Sequence, residues 1–106
     1  MLVVAKKLTL FERKGMKKRI AILASGVGTN AQAIIEYFKE NSGASVVLIG
    51  SNKPEALVLK KAADLGVPSF VFNKSELTSR PVVLNKLLRE GIDFIVLAGF
   101  LLHLPE

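Results

Sequence analysis

Short apolar runs alternate with segments of helical periodicity along most of the chain. Four runs are apolar almost throughout, which is typical of strands buried on both faces of a parallel sheet. They occupy residues 20–24, 45–49, 68–72 and 92–98. Strands of this kind need helices against both faces, because water would otherwise contact their apolar side chains.

Three helices are predicted between these strands. The first carries apolar residues on one face at Ala31, Ile34, Ile35 and Phe38. It ends at residues 41–43, Asn-Ser-Gly. Pro54 suits the first turn of the second helix, which runs to about residue 65 and stops at Gly66. The third follows a polar loop over residues 73–80 and is closed by Gly91. Its apolar residues are Val83, Leu84, Leu87 and Leu88.

The predicted element order is therefore β-α-β-α-β-α-β, with short connections. Strands and helices that alternate in this way predict right-handed crossovers and a parallel sheet with helices on both faces. The expected fold class is α/β, with a Rossmann-like parallel sheet.

The net charge of +6 is concentrated at the N-terminus. Residues 1–19 contain seven basic residues and one acidic residue, whereas residues 20–106 contain eight of each. A nucleic-acid groove needs positive charge on the folded body, so we expect no nucleic-acid partner.

Residues 1–15 are interpreted as a leader or N-terminal extension, and residues 16–106 as the domain. The extension lacks the long apolar region and the cleavage site of a secretory signal.

The composition narrows the class of protein further. No apolar run approaches the roughly 18 residues of a membrane span, so we expect a cytoplasmic protein with no membrane partner. The sequence contains no cysteine and a single histidine, His103. Thiolate chemistry and metal sites built from cysteine or several histidines are excluded, and no metal is predicted.

A glycine-containing loop follows the first predicted strand, with the sequence Gly26-Val27-Gly28-Thr29-Asn30. The N-terminus of a helix carries partial positive charge and N–H groups that bind phosphate. Gly28 lets an anion approach the main chain closely, while Thr29 and Asn30 add side-chain donors. On these features alone, a phosphate site and a tight turn without a ligand are equally supported.

Two other nucleotide-binding motifs share part of this pattern. The spacing of Gly26, Gly28 and Ala31 fits the dinucleotide fingerprint G-x-G-x-x-G/A. That fingerprint includes an acidic residue after the second strand that binds the ribose, but residues 51–53 are Ser-Asn-Lys. A Walker-type loop is excluded because no Gly-Lys-Ser/Thr follows. Dinucleotide binding is thus a minor alternative.

Several segments together resemble phosphoribosylglycinamide formyltransferase, the folate-dependent enzyme of purine synthesis. They are residues 24–35 (ASGVGTNAQAII), 51–56 (SNKPEA) and 96–100 (VLAGF). Residues 62–68 and 79–80 also fall where that family has matching segments. The likeness covers residues 16–106 and implies the N-terminal half of the formyltransferase fold.

The resemblance also implies the ligands and the residues that contact them. Gly28, Thr29 and Asn30 match the loop that holds the phosphate of glycinamide ribonucleotide. Arg80 matches an arginine that contacts the co-substrate 10-formyltetrahydrofolate. The segment that lines the pterin pocket matches Leu101, Leu102, His103 and Leu104.

The family's catalytic residues have no counterpart in these 106 residues. Its Asn-x-His-Pro motif and its catalytic Asp align beyond Glu106, and His103 falls in the pocket-lining segment instead. The expected function is folate-dependent formyl transfer to the amine of glycinamide ribonucleotide, with this chain as a fragment that is inactive alone. The alternative is a non-catalytic module that binds phosphate or a nucleotide.

The last predicted strand is expected to form an open edge of the sheet. It would lie beside the first strand and have no partner on its other side. Residues 92–98 carry one charged group, Asp93, among apolar side chains. An apolar edge with unpaired N–H and C=O groups invites pairing between molecules, so we expect the chain to self-associate or to be marginally folded.

Overall fold

The computed structural model describes residues 3–7, 18–40 and 43–98. These residues form a five-stranded sheet with helices against both faces. In chain order the elements are β1 (Val3–Lys7), β2 (Lys18–Leu23), α1 (Thr29–Glu40), β3 (Ala44–Ser51), α2 (Leu57–Asp64), β4 (Ser69–Val71), α3 (Lys74–Thr78), α4 (Val82–Arg89) and β5 (Phe94–Ala98).

The strand order in the sheet is β1-β5-β2-β3-β4. Four strands, from β5 through β2 and β3 to β4, run parallel, and β1 is antiparallel to β5. The chain moves outward from β2 to β4 and then returns to β5 on the opposite side of β2. The predicted α/β fold with a parallel sheet is confirmed.

β2 is the centre of the sheet and is buried from both sides. Ile20, Ile22 and Ala24 pack into the apolar cluster that contains α1 and α2 residues. Ala21 and Leu23 face the opposite cluster, which contains residues of α3 and α4. All five are at most 4% exposed. The continuous apolar run in the sequence therefore reflects a strand with no solvent face.

A β-bulge in β3 changes which of its side chains face each helix layer. Ile20 lies opposite Val46, but Ala21 lies opposite Leu48, so Val47 is an extra residue in β3. Val46 packs with the α1 and α2 layer, whereas Val47 and Leu48 both pack with the α4 layer.

The third predicted helix buries less of its apolar face than its sequence indicates. Val83 and Leu87 on α4 are 2% and 1% exposed, but Leu84 and Leu88 are 47% and 48% exposed. Successive residues are separated by about 100° around a helix. Leu84 and Leu88 therefore lie to one side of the buried strip formed by Val83 and Leu87.

Two helix starts differ from the sequence expectation. The polar segment 73–80 contains the short helix α3, which begins with a capping box. The Glu76 N–H donates to Asn73 Oδ1 at 2.8 Å, and the Asn73 N–H donates to Glu76 Oε1 at 2.9 Å. Pro54 lies in a turn rather than in a helix, because Ala56 N–H donates to the carbonyl of Lys53 at 3.1 Å and α2 starts at Leu57.

The edge that was expected to be open is paired in the structure. β1 forms an antiparallel ladder with β5, in a register that runs from Val3 opposite Ala98 to Lys7 opposite Phe94. Residues 3–7 of the expected N-terminal extension thus belong to the sheet, and the prediction of an uncovered β5 edge is wrong. Asp93 is buried (3% exposed) and accepts the Arg19 N–H at 2.8 Å, so it is a structural acceptor.

Deleting residues 1–15 is expected to lower the melting temperature and to cause concentration-dependent association. The deletion removes β1 and leaves the outer N–H and C=O groups of β5 unpaired beside an apolar strand. Sedimentation velocity over a range of concentrations and thermal melting check both effects against the full chain.

Val4→Pro and Ala5→Pro provide a finer test of the same pairing. Neighbouring residues of an antiparallel strand point their N–H groups in opposite directions, so only one of the two substitutions removes a bond to β5. One variant is expected to melt several degrees below the other. If both variants and the deleted chain melted at the same temperature as the full chain, β1 would not stabilise the sheet.

Gly50→Ala is expected to destabilise the fold by about 1–3 kcal/mol, as overpacking of a core does. A Cβ at Gly50 would lie 2.6 Å from Phe70 Cζ and 2.9 Å from Leu23 Cδ2. Gly43→Ala is the matched control, because a Cβ there meets nothing within 4 Å. Urea denaturation of both variants measures the difference, and equal unfolding free energies would contradict the close packing of Gly50.

Candidate functional site

The strand order of the sheet reverses between β5 and β2. In open parallel sheets a crevice forms outside the carboxyl ends of the strands at such a point, because the flanking connections leave in opposite directions. The connection from β2 to α1 borders this crevice, and β5 ends beside it. The predicted phosphate loop, residues 26–30, therefore lies where this fold class binds ligands.

Gly28 determines where α1 begins. Its φ is +88°, a left-handed conformation that glycine adopts without strain. Its carbonyl accepts the Gln32 N–H at 2.9 Å, which is the first hydrogen bond of the helix. Gly28 thus occupies the N-cap position, and Thr29 and Asn30 are the first two residues of α1.

The start of α1 has the properties of an anion site. The helix is 12 residues long and carries no acidic residue in its first turn. The backbone N–H groups of a first helical turn have no acceptor within the helix, and the helix dipole adds partial positive charge there. Thr29 is exposed and Asn30 is half-buried. The arrangement can bind a phosphate group through backbone and side-chain donors.

The chain after β3 holds this loop from the side. Ser25 Oγ donates to Asn52 Oδ1 at 2.6 Å, and the Val58 N–H donates to the Gly26 carbonyl at 3.2 Å. A Cβ added to Gly28 would lie 2.7 Å from Val58 Cγ2 and 2.9 Å from Val58 Cα. Sequence reasoning did not assign a role to Ser25, Asn52 or Val58. The available signal was the polar segment at 51–53, directly after an apolar strand.

The segment after β3 also bears on the dinucleotide alternative. Ser51 is fully buried, and the Lys53 N–H donates to its Oγ at 3.2 Å. Asn52, the residue nearest to the position of a ribose-binding acid, is bonded to Ser25 instead. Residues 51–53 therefore support the loop, and they contain no carboxylate at the end of the strand to hold a ribose.

The residues predicted to contact folate are only partly described. Arg80 is exposed and lies between α3 and α4, and its backbone N–H donates to the Ser75 carbonyl at 2.8 Å. Because α4 leads back to the start of β5, its N-terminus and Arg80 lie toward the carboxyl edge of the sheet. Leu101, Leu102, His103 and Leu104 lie outside the described residues.

The described residues contain no group of three or more His, Cys, Asp and Glu side chains arranged to hold a metal ion. Within the same part of the chain, no helix is long and apolar enough to cross a membrane.

Two named proteins are similar to this chain in sequence. The trifunctional purine biosynthetic protein adenosine-3 of Drosophila melanogaster is 40% identical over 92 residues, which are 80% of this chain and 7% of that protein. Phosphoribosylglycinamide formyltransferase of Bacillus subtilis is 33% identical over 89 residues, 79% of this chain and 46% of that enzyme. The chain thus spans less than half the length of both relatives.

Solved structures agree with these relatives. Glycinamide ribonucleotide transformylase 1 from Geobacillus kaustophilus superposes with a TM-score of 0.70 at 39% identity, over 83% of this chain and 50% of that one. Phosphoribosylglycinamide formyltransferase from Anaplasma phagocytophilum gives a TM-score of 0.75 at 32% identity, over 85% and 43%. The fold and the resemblance predicted from the sequence are confirmed.

The profile of the formyl transferase family matches residues 18–106, which is most of the chain. The relatives and the structural neighbours named above are enzymes of purine biosynthesis and phosphoribosylglycinamide formyltransferases. This protein belongs to the formyl transferase family.

Proposed function

We propose that this chain is the substrate-phosphate-binding part of a phosphoribosylglycinamide formyltransferase. The proposed reaction transfers a formyl group from 10-formyltetrahydrofolate to the amine of glycinamide ribonucleotide. The observation that carries the proposal is the start of α1 at Gly28, with φ of +88°, beside the crevice between β2 and β5. The names of the relatives support the choice of this reaction.

The proposed ligand of the loop is the phosphate of glycinamide ribonucleotide. Gly28, Thr29 and Asn30 supply backbone N–H groups, a hydroxyl and a carboxamide, all of which donate to phosphate oxygens. A phosphate dianion at a helix N-terminus is stabilised by the helix dipole and needs no lysine or arginine in contact. The absence of acidic residues from the first turn of α1 leaves this attraction unopposed.

The folate co-substrate is proposed to bind across the same crevice. Arg80 is proposed to pair with a carboxylate of 10-formyltetrahydrofolate or to stack on its rings, since a guanidinium does both. Leu101, Leu102, His103 and Leu104, which follow β5 in the chain, are proposed to line the pterin pocket. Both ligands then approach from the carboxyl ends of the parallel strands.

The proposed chemistry is attack of the substrate amine on the formyl carbon, followed by cleavage of the bond between that carbon and the folate nitrogen. The proton that the amine gives up passes to that nitrogen, and tetrahydrofolate leaves. Donors that stabilise the oxyanion provide most of the rate enhancement in reactions of this kind. The Asn and His of the family's Asn-x-His-Pro motif are proposed to supply those donors, and its catalytic Asp is proposed to set the protonation state of the His. The proposed contribution of the residues in this chain is to hold and orient the two substrates.

Asn30→Asp is expected to weaken binding of ribose 5-phosphate at least tenfold, because the new carboxylate repels the phosphate at the start of α1. Asn85→Asp is the matched control: it makes the same change on the exposed surface of α4 and is expected to leave the affinity unchanged. Titration followed by amide NMR shifts of residues 26–31 measures both. No response of these amides in the unchanged protein would refute the phosphate site.

Arg80→Ala is expected to weaken binding of 10-formyltetrahydrofolate several-fold, through loss of a charge-assisted contact. Arg89→Ala is the control, because Arg89 is also exposed but lies at the C-terminal end of α4, away from the crevice. Fluorescence titration with the folate compares the two variants. Phosphate binding without measurable folate binding would favour the non-catalytic module, and equal effects of the two variants would exclude Arg80 from the folate site.

A further inference from the structure

The residue after β3 and the first turn of α2 contact the chain at three points, namely Ser25, Gly26 and Gly28. Ser25 is 4% exposed, so its hydroxyl needs a partner within the protein, and Asn52 Oδ1 supplies it at 2.6 Å. The two residues are 27 positions apart, so this bond joins two successive strand-helix units. The loop is therefore fixed by tertiary contacts as well as by its own sequence.

The second and third contacts come from one residue. The Val58 N–H donates to the Gly26 carbonyl at 3.2 Å, and Val58 has no exposed surface. The backbone of Gly28 lies so close to Val58 that a Cβ would be 2.7–2.9 Å from three Val58 atoms. Val58 therefore holds one side of the loop in the conformation that starts α1.

We infer that Asn52 and Val58 are positioning residues for the phosphate loop. Asn52 acts through the Ser25 hydroxyl, and Val58 acts through the backbone of Gly26 and Gly28. Neither residue is assigned a contact with the anion. The inference rests on the proposed phosphate site and goes beyond it, because it makes anion affinity depend on a segment outside the loop.

The physical reason is that backbone donors move together. The N–H groups at the start of α1 are rigidly connected, so a small rotation of the loop misaligns several of them with the phosphate oxygens at once. Binding groups need to be held within about 0.5 Å of their productive geometry by the residues behind them. A loop freed from Asn52 or Val58 has to be ordered by the ligand, and that ordering lowers the affinity.

A double-mutant cycle tests the role of Asn52. Ser25→Ala and Asn52→Ala are each expected to raise the dissociation constant for inorganic phosphate about five- to tenfold, measured by amide NMR titration. The double variant is expected to have a dissociation constant no higher than that of the single variant with the higher value, because both changes remove the same hydrogen bond. Independent effects that multiply in the double variant would overturn the coupling.

Asn73→Ala separates positioning from a loss of stability. It also removes an asparagine carboxamide that accepts a hydrogen bond, but in the cap of α3. It is expected to lower the melting temperature and to leave the phosphate affinity unchanged. If affinity falls in step with melting temperature in Asn73→Ala as well as in Asn52→Ala, the effect is one of stability, and the inference is overturned.

Val58→Ala provides an independent measurement that leaves the Ser25–Asn52 bond in place. It is expected to raise the phosphate dissociation constant by a similar factor and to shift the Gly28 and Thr29 amide signals of the ligand-free protein. Phosphate binding by the unchanged protein, with full affinity in Ser25→Ala, Asn52→Ala and Val58→Ala, would overturn the inference and leave the proposed function standing. No binding by the unchanged protein would overturn both.

Discussion

The close approach of Gly28 to Val58 is the contact on which the geometry of the site depends. Only a residue without a Cβ fits against Val58 and also adopts a φ of +88° at low cost. The same residue accepts the first hydrogen bond of α1. One backbone position therefore sets the end of the loop, the start of the helix and the distance between the first two helices.

The burial of β2 on both faces makes this arrangement rigid. Its side chains take part in two separate apolar clusters, and its neighbours β5 and β3 hold it on both edges. The ladder continues one residue beyond β2 toward the loop, where the Ala24 N–H donates to the Gly50 carbonyl at 3.0 Å. A strand packed in this way has little freedom to move, so the position at which the following loop begins is fixed. The pairing of β1 with β5 extends the sheet to the far side of the crevice.

This geometry suits a ligand with one dianionic end. Attraction at the helix N-terminus comes from fixed backbone dipoles, which need no side-chain ordering when the ligand binds. Membership of the formyl transferase family agrees with such a role, and the relatives named for formyl transfer share both the sequence and the sheet. The chain spans 46% of the Bacillus subtilis enzyme, and the proposed contribution of these residues is substrate binding.

The sequence by itself determined the four parallel strands, the helices between them and the position of the loop, because continuous apolar runs and the glycine before Thr29 are local signals of burial and of a helix start. Residues 73–80 were misread although the Asn73–Glu76 spacing was a local signal of a capping box. Only the tertiary structure decided that β1 pairs with β5, that Leu84 and Leu88 on α4 remain exposed, and that Asn52 and Val58 contact the loop. These features depend on residues far apart in the chain meeting in space, and no pattern within a single strand or helix records which distant partner will cover it.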